Sequence, residues 1–166
     1  MGPDDFDDLS RPSGARGAGA LAAELSAALE EPPGDVTVEP EDDEMGWILR
    51  EDVRLSRVNL RALGSADPER RARFVAALAE LVMRFDGQRS TMEGLEVGRR
   101  YAVEYKHEKL RRTFRVTGDL IEVSAWRPAD GPNGGGWTLT LESHPRFGAP
   151  SRFQVATDVL TRITPA

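Results

Sequence analysis

YAVEYKHEKLRRTFRVTGDLIEVSA, residues 101–125, is the stretch whose reading decides the fold. Its first half alternates with period two. Tyr101, Val103 and Tyr105 are separated by Ala102, Glu104 and Lys106, and Phe114 and Val116 by Arg115 and Thr117. Successive side chains of a strand point to opposite faces, so this pattern predicts two half-buried strands with a turn near His107-Glu108. Beyond Gly118-Asp119 the apolar residues Ile121, Val123 and Ala125 follow on the opposite parity to Leu120. One extra residue in a strand reverses which side chains face inward, so the phase change predicts a bulge or sharp bend beside Gly118.

Downstream, Trp137, Leu139 and Leu141 alternate with Thr138, Thr140 and Glu142; Phe153-Val155 and Val159–Ile163 add two short strands. The Gly-rich stretch 128–136 and Pro145–Pro150 supply turns, the first read as a flexible hairpin tip. A bent strand among four or five short ones is how a small sheet curls over itself. Over residues 95–164 the pattern resembles, in architecture, the small five-stranded barrels of the SH3-like and Sm-like kind.

Upstream of this β region lies one long helix. Asp67 is a natural N-cap with Pro68 at the first helical position and Glu69 at the positive end of the dipole. Phe74, Val75, Leu78, Leu81, Val82 and Phe85 mark one apolar face, and Asp86-Gly87 is the expected stop, which gives a helix over 67–86. Residues 47–63 fit two patterns, with a strand near 47–55 preferred. The expected class is α+β: one amphipathic helix packed on a small bent antiparallel sheet or small barrel, as a single domain over 46–166.

The first 45 residues differ in composition. They hold thirteen acidic side chains against two arginines, whereas residues 46–166 hold twenty basic against fifteen acidic; the whole chain carries −6. Little apolar surface is available there to offset chain entropy, so 1–45 reads as a flexible acidic segment with a short helix near 19–31. Leu21, Leu25 and Leu29 recur every four residues, and Pro32-Pro33-Gly34 stops the helix. A helix this short is marginal alone and needs a surface to lie on. The stripe therefore reads as a candidate docking face, with Phe147 in the Pro-bounded loop as a second candidate contact.

Several chemistries find no support in the residues. With no cysteine there are no disulfides, thiolate metal sites or cysteine nucleophiles. Only His107 and His144 could offer imidazole, although Glu142 and His144 share strand parity. Ser143 and His144 are adjacent, so in a strand they face opposite ways. No Gly-x-Ser-x-Gly elbow occurs, Gly14–Gly19 lacks the spacing and Lys of a phosphate loop, and the paired acids fall in sequence expected to be flexible. The expectation is a non-enzymatic chain with no metal or cofactor. The start MGPDDFDD has no basic or apolar leader, and no apolar run reaches spanning length, so cytoplasmic residence and no membrane partner are expected. Twenty arginines against two lysines read as the codon bias of a GC-rich bacterial genome.

One constellation remains. Arg99, Arg100, Lys106, His107, Lys109, Arg111, Arg112 and Arg115 lie within seventeen residues, interleaved with Tyr101, Tyr105 and Phe114 and diluted by Glu104 and Glu108. Arg100, Lys106, Lys109, Arg111, Arg112 and Arg115 are the candidate anion or nucleic-acid contacts. The leading expectation is a protein-interaction or adaptor module whose N-terminal arm docks or regulates. The alternative is a small-barrel nucleic-acid binder held in check by its acidic segment.

Overall fold

The computed structural model describes residues 13–107 and 109–166. Among the described residues there are three helices and nine strands, in an α+β arrangement of two sheets, neither closed into a barrel. The chain divides into two compact units, one comprising the chain through Phe85 with Pro128–Gly134, the other Asp86–Arg127 with Gly135–Ala166. This differs from the expected single domain over 46–166. The first unit has nineteen acidic and ten basic residues in its sequence, the second nine and twelve.

The first unit begins with helix α1 (Ser13–Leu29), six residues longer at its start than expected. It ends before Pro32. Glu30 takes a left-handed conformation (φ 55°), and the Glu31 N–H donates to Ser26 O at 3.0 Å, the wider bond of a Schellman closure. Leu21 and Leu25 are 0% exposed and Leu29 is half-buried. The leucine stripe is therefore not available as a docking face: α1 packs on the sheet of its own unit, chiefly on β1 (Val36–Pro40).

That strand is the second departure, because it falls in the segment expected to be flexible. β1 pairs antiparallel with β2 (Met45–Arg50), and β2 with β3 (Val53–Asn59). The turn from β2 to β3 has positive φ at both Glu51 (49°) and Asp52 (66°), the primed geometry that matches strand twist. Residues 47–63 thus hold both patterns, two strands and then the short helix α2 (Leu60–Ser65), capped by Asn59 Oδ1 accepting from the Ala62 N–H. The acidic run 41–44 is ordered by its own carboxylates. Asp42 Oδ1 accepts the N–H groups of Met45 (2.7 Å) and Glu44 (2.8 Å), and these bonds hold its carboxyl below the ordinary aspartate range.

Acids expected in a free tail are instead paired within this unit. Arg50 grips Glu31 with both guanidinium nitrogens (2.5 and 2.7 Å), Arg71 grips Glu24 (2.7 Å), Arg57 reaches Glu41 (2.8 Å) and Arg54 reaches Glu39 (3.5 Å). Arg54 and Arg57 also lie over the Trp47 ring, at 4.9 and 5.9 Å. The Arg50 hydrogen bonds lower the Glu31 pKa against a smaller opposing effect of burial. A lowered folded-state pKa means stabilisation that is fully present above the ordinary glutamate value and lost as pH falls through the lowered one. Glu31→Gln should therefore flatten the acid limb of the unfolding-midpoint-versus-pH curve, measured by urea denaturation; an unchanged acid limb would show that the pair contributes nothing.

Helix α3 (Pro68–Glu93) starts as expected, with Asp67 Oδ1 accepting from the Arg70 N–H at 2.9 Å. It runs through Gly87 instead of stopping there. Past that point Met92 is buried and Gln88 donates to Thr157 O at 3.0 Å, contacts that outweigh the roughly 1 kcal/mol cost of a helical glycine. Its residues through Phe85 belong to the first unit and the remainder to the second. The Gly-rich stretch is not a free hairpin tip either. Ala129–Asp130 (β6) pairs in parallel with β3, and the Ser56 hydroxyl and Arg84 guanidinium donate to Gly131 O and Gly134 O.

The second unit holds an antiparallel sheet ordered β8-β7-β5-β4-β9, with β4 Arg100–His107, β5 Arg112–Val123, β7 Thr138–Ser143, β8 Ser151–Ala156 and β9 Leu160–Pro165. The register shift falls between Leu120 and Glu122, just after Gly118. Gly118 has a separate role: a Cβ there would lie 2.9 Å from Glu142 O, so glycine lets β5 and β7 close up. Leu120, Leu139, Leu141, Val103 and Val155 are buried, and Trp126 meets Trp137 edge-on at 4.8 Å. No helix among the described residues is long and apolar enough to cross a membrane.

Candidate functional site

The β4–β5 hairpin outruns its neighbours. β7 pairs with β5 only from Asp119 onward, so, among the described residues, 112–118 have β4 as their sole ladder partner. On the other side β9 pairs with β4 as far as Tyr105, and a single bond from the Lys106 N–H to Val159 O follows. The rung His107–Arg112 and the turn residues 109–111 lie beyond the last pairing with β7 and β9.

This geometry explains a gradient along one face. Tyr101 and Val103 are 3% and 0% exposed, whereas Tyr105, His107 and Phe114, on the same parity, are half-buried. Their rings form a row. Tyr105 and Phe114 are cross-strand neighbours with centroids 5.9 Å apart and planes 26° from parallel, and His107 meets Phe114 at 5.8 Å and 69°. The His107 ring is held by the Leu110 N–H, which donates to its Nδ1 at 3.3 Å. Leu110 itself is 56% exposed at the turn.

Around this row stand Lys106, Lys109, Arg111, Arg112 and Arg115, all exposed. They do not line one face. Lys106 and Arg115 are on the side opposite the rings, Arg112 shares the ring side across from His107, and Lys109 and Arg111 belong to the turn, Arg111 with φ 47°. None of the five makes an ion pair with another described residue; Glu104 stands opposite Arg115 in the ladder without pairing to it. The arginines of β2 and β3, by contrast, are each matched to a carboxylate.

Arg100 falls outside this group. Its Nε donates to Asp119 Oδ1 at 3.2 Å, the first link of a row across four strands: Asp119 Oδ2 lies 3.2 Å from His144 Nε2, which lies 3.5 Å from Glu142, which pairs with Arg152 at 3.0 Å. The shared parity of Glu142 and His144 is visible in sequence, but Asp119 comes from the neighbouring strand and no local pattern announces it. Among the described residues no set of three or more His, Asp or Glu side chains is placed to hold a metal ion.

No protein-family model, curated protein or solved structure matches this chain.

The remaining candidates are simpler. Phe147 is 86% exposed in the β7–β8 loop, beside Gly148 with φ 101°. An open cleft of about 320 Å³ in the second unit lies between the end of α3 and β9, and Gln88 Oε1 is buried beside it without a hydrogen-bond partner. A cleft of about 310 Å³ in the first unit is lined by Asn59, Leu63, Arg70 and Phe74, but Asn59 is committed to capping α2. Neither gathers groups that form a reaction centre.

Proposed function

We propose that the unit formed by 86–127 and 135–166 is a nucleic-acid-binding module that uses the β4–β5 hairpin as its contact surface. One observation carries the reading: five cations with no carboxylate partner among the described residues stand around a half-buried aromatic row at a projecting hairpin end. Unmatched cations at one hairpin end, here spread over both of its faces and its turn, attract a polyanion and are stabilised by it. The net charge of the unit, +3 against −9 for the rest of the chain, favours the same unit.

The strand order supports the small-barrel resemblance. β4, β5, β7 and β8 are an antiparallel meander and β9 returns to pair with β4, with only Thr157–Val159 between β8 and β9. Return of the last strand to the first is the kind of connection by which a small sheet curls over itself. Of the thirteen acids of the acidic segment, those at 24, 31, 39 and 41 are engaged in ion pairs, which weakens autoinhibition only in part; Asp4, Asp5, Asp7 and Asp8 lie outside the described residues.

The test is fluorescence anisotropy of a labelled oligonucleotide against salt. The full chain should bind at low salt, with a log–log slope near −3 for four or five phosphate contacts on a single strand, at about −0.7 per contact. Replacing Lys109, Arg111 and Arg112 by Ala should flatten the slope by about 2. Absence of binding at low salt rejects the proposal.

A protein-contact reading keeps one supporting observation, the exposure of Phe147. Leu21 and Leu25 no longer support it.

A further inference from the structure

We infer that the hairpin takes its nucleic acid as an unstacked single strand, adding a base to the Tyr105–Phe114 ring pair while Arg111 and Arg112 hold the adjoining phosphates. The inference rests on the nucleic-acid reading and goes beyond it, because cations alone do not distinguish a single strand from a duplex.

Three features point this way. First, the rings sit where the core ends. The parity that buries Tyr101 and Val103 continues to Tyr105, Phe114 and His107, but β7 no longer flanks β5 there, so ring surface is left partly open. An aliphatic residue would close the end of a core as well; open aromatic surface is useful to another flat ring. Second, the pair is nearly parallel, at 26°, while His107 stands edge-on to Phe114. A base can extend such a row as a further ring, which an edge-to-face cluster would not permit. Third, Arg112 shares the ring side and Arg111 begins the adjoining turn, so phosphate contacts and ring contacts fall within one nucleotide's reach. In a duplex each base is already stacked on both sides and its edge faces a groove, so this row would have nothing to take up.

The experiment compares three labelled probes of equal length against the full chain: oligothymidine, an abasic deoxyribose-phosphate strand, and a mixed-sequence duplex. Oligothymidine should bind at least 5- to 10-fold more tightly than the abasic strand, the lower end of what one stacked base contributes. Tyr105→Leu and Phe114→Leu keep an apolar side chain in place. Each should bring oligothymidine down towards the abasic affinity without changing the abasic affinity itself, and Phe114→Tyr should retain the difference. Arg111→Ala with Arg112→Ala should weaken both strands alike. Equal affinity for oligothymidine and the abasic strand, or tighter binding of the duplex, overturns the stacking inference and leaves nucleic-acid binding standing. Binding of none of the three overturns both.

Discussion

Leu25→Asp should unfold the unit that contains it, and Leu25→Ala should cost about 2–5 kcal/mol, the range for a leucine removed from a packed core. Leu25 is 0% exposed, one turn after Leu21, which is equally buried. A carboxylate at that position would be buried among apolar side chains such as Leu21 and Val36 of the same core, and a buried unpaired charge is costlier than a cavity. The helix also has little stability of its own: at seventeen residues it depends on the sheet it covers. Urea denaturation followed by circular dichroism gives the energies, and hydrogen exchange gives the location. Amides of α1 should be protected to the same degree as those of β1 and β2 in the native chain and lose protection together in the Asp variant. Wild-type stability and exchange in Leu25→Asp would return the leucine stripe to solvent and restore the docking arm. For the same reason a truncation of residues 1–45 is not neutral, since it removes α1 and β1 together and strips Arg50, Arg54, Arg57 and Arg71 of their carboxylates.

Gly136→Ala should be the most damaging single-methyl change in the second unit, at about 3 kcal/mol. Gly136 has φ +145°, a region open almost only to glycine, which an L residue enters at roughly 1–3 kcal/mol. The added Cβ would also lie 2.5 Å from Thr157 Oγ1. That hydroxyl cannot step aside freely, because Thr157 is fully buried and its Oγ1 accepts the Trp137 N–H at 2.9 Å. Overpacking of this kind adds roughly 1–3 kcal/mol more. Movement of Thr157 displaces Trp137 from its edge contact with Trp126, so near-ultraviolet circular dichroism and tryptophan emission should change with the unfolding midpoint. A variant with the wild-type midpoint and tryptophan signal would mean that the loop relaxes elsewhere. Gly148→Ala is the control within the same unit, with positive φ (101°) but no atom within 4 Å of the added methyl; it should cost less.

The β region was legible because its strands carry long alternating runs. Eight residues of β4 and twelve of β5 leave little doubt about period, and even the phase change near Gly118 corresponds to an observed register shift. The start of α3 was legible from Asp67-Pro68-Glu69 because capping is a local interaction. β1 was not. An edge strand of five residues with a single fully buried side chain, Val36, has no periodicity to read, and its Glu39 and Pro40 look like linker. The end of α3 was misplaced for a related reason: Gly87 stops a helix only if nothing further along repays its continuation, and Gln88 and Met92 do. At the candidate site the residue types were visible, but not which cations lack partners. Arg100 and Arg112 look alike in sequence; only the ladder puts Asp119 beside one and leaves the other without a carboxylate among the described residues.

Composition and periodicity by themselves established an α+β chain with a meandering β unit, a capped long helix, a leucine-striped short one and a division of charge near residue 45. Tertiary structure decided what those features are for. An apolar helical stripe has the same sequence whether it covers its own sheet or a partner's, and an acidic run the same composition whether it is solvated or matched. The choice is made by residues 15 to 47 positions away, through the Glu39–Arg54, Glu31–Arg50 and Glu24–Arg71 pairs, and by how far each strand's neighbours extend. These are long-range contacts, and a local reading of the chain has no access to them.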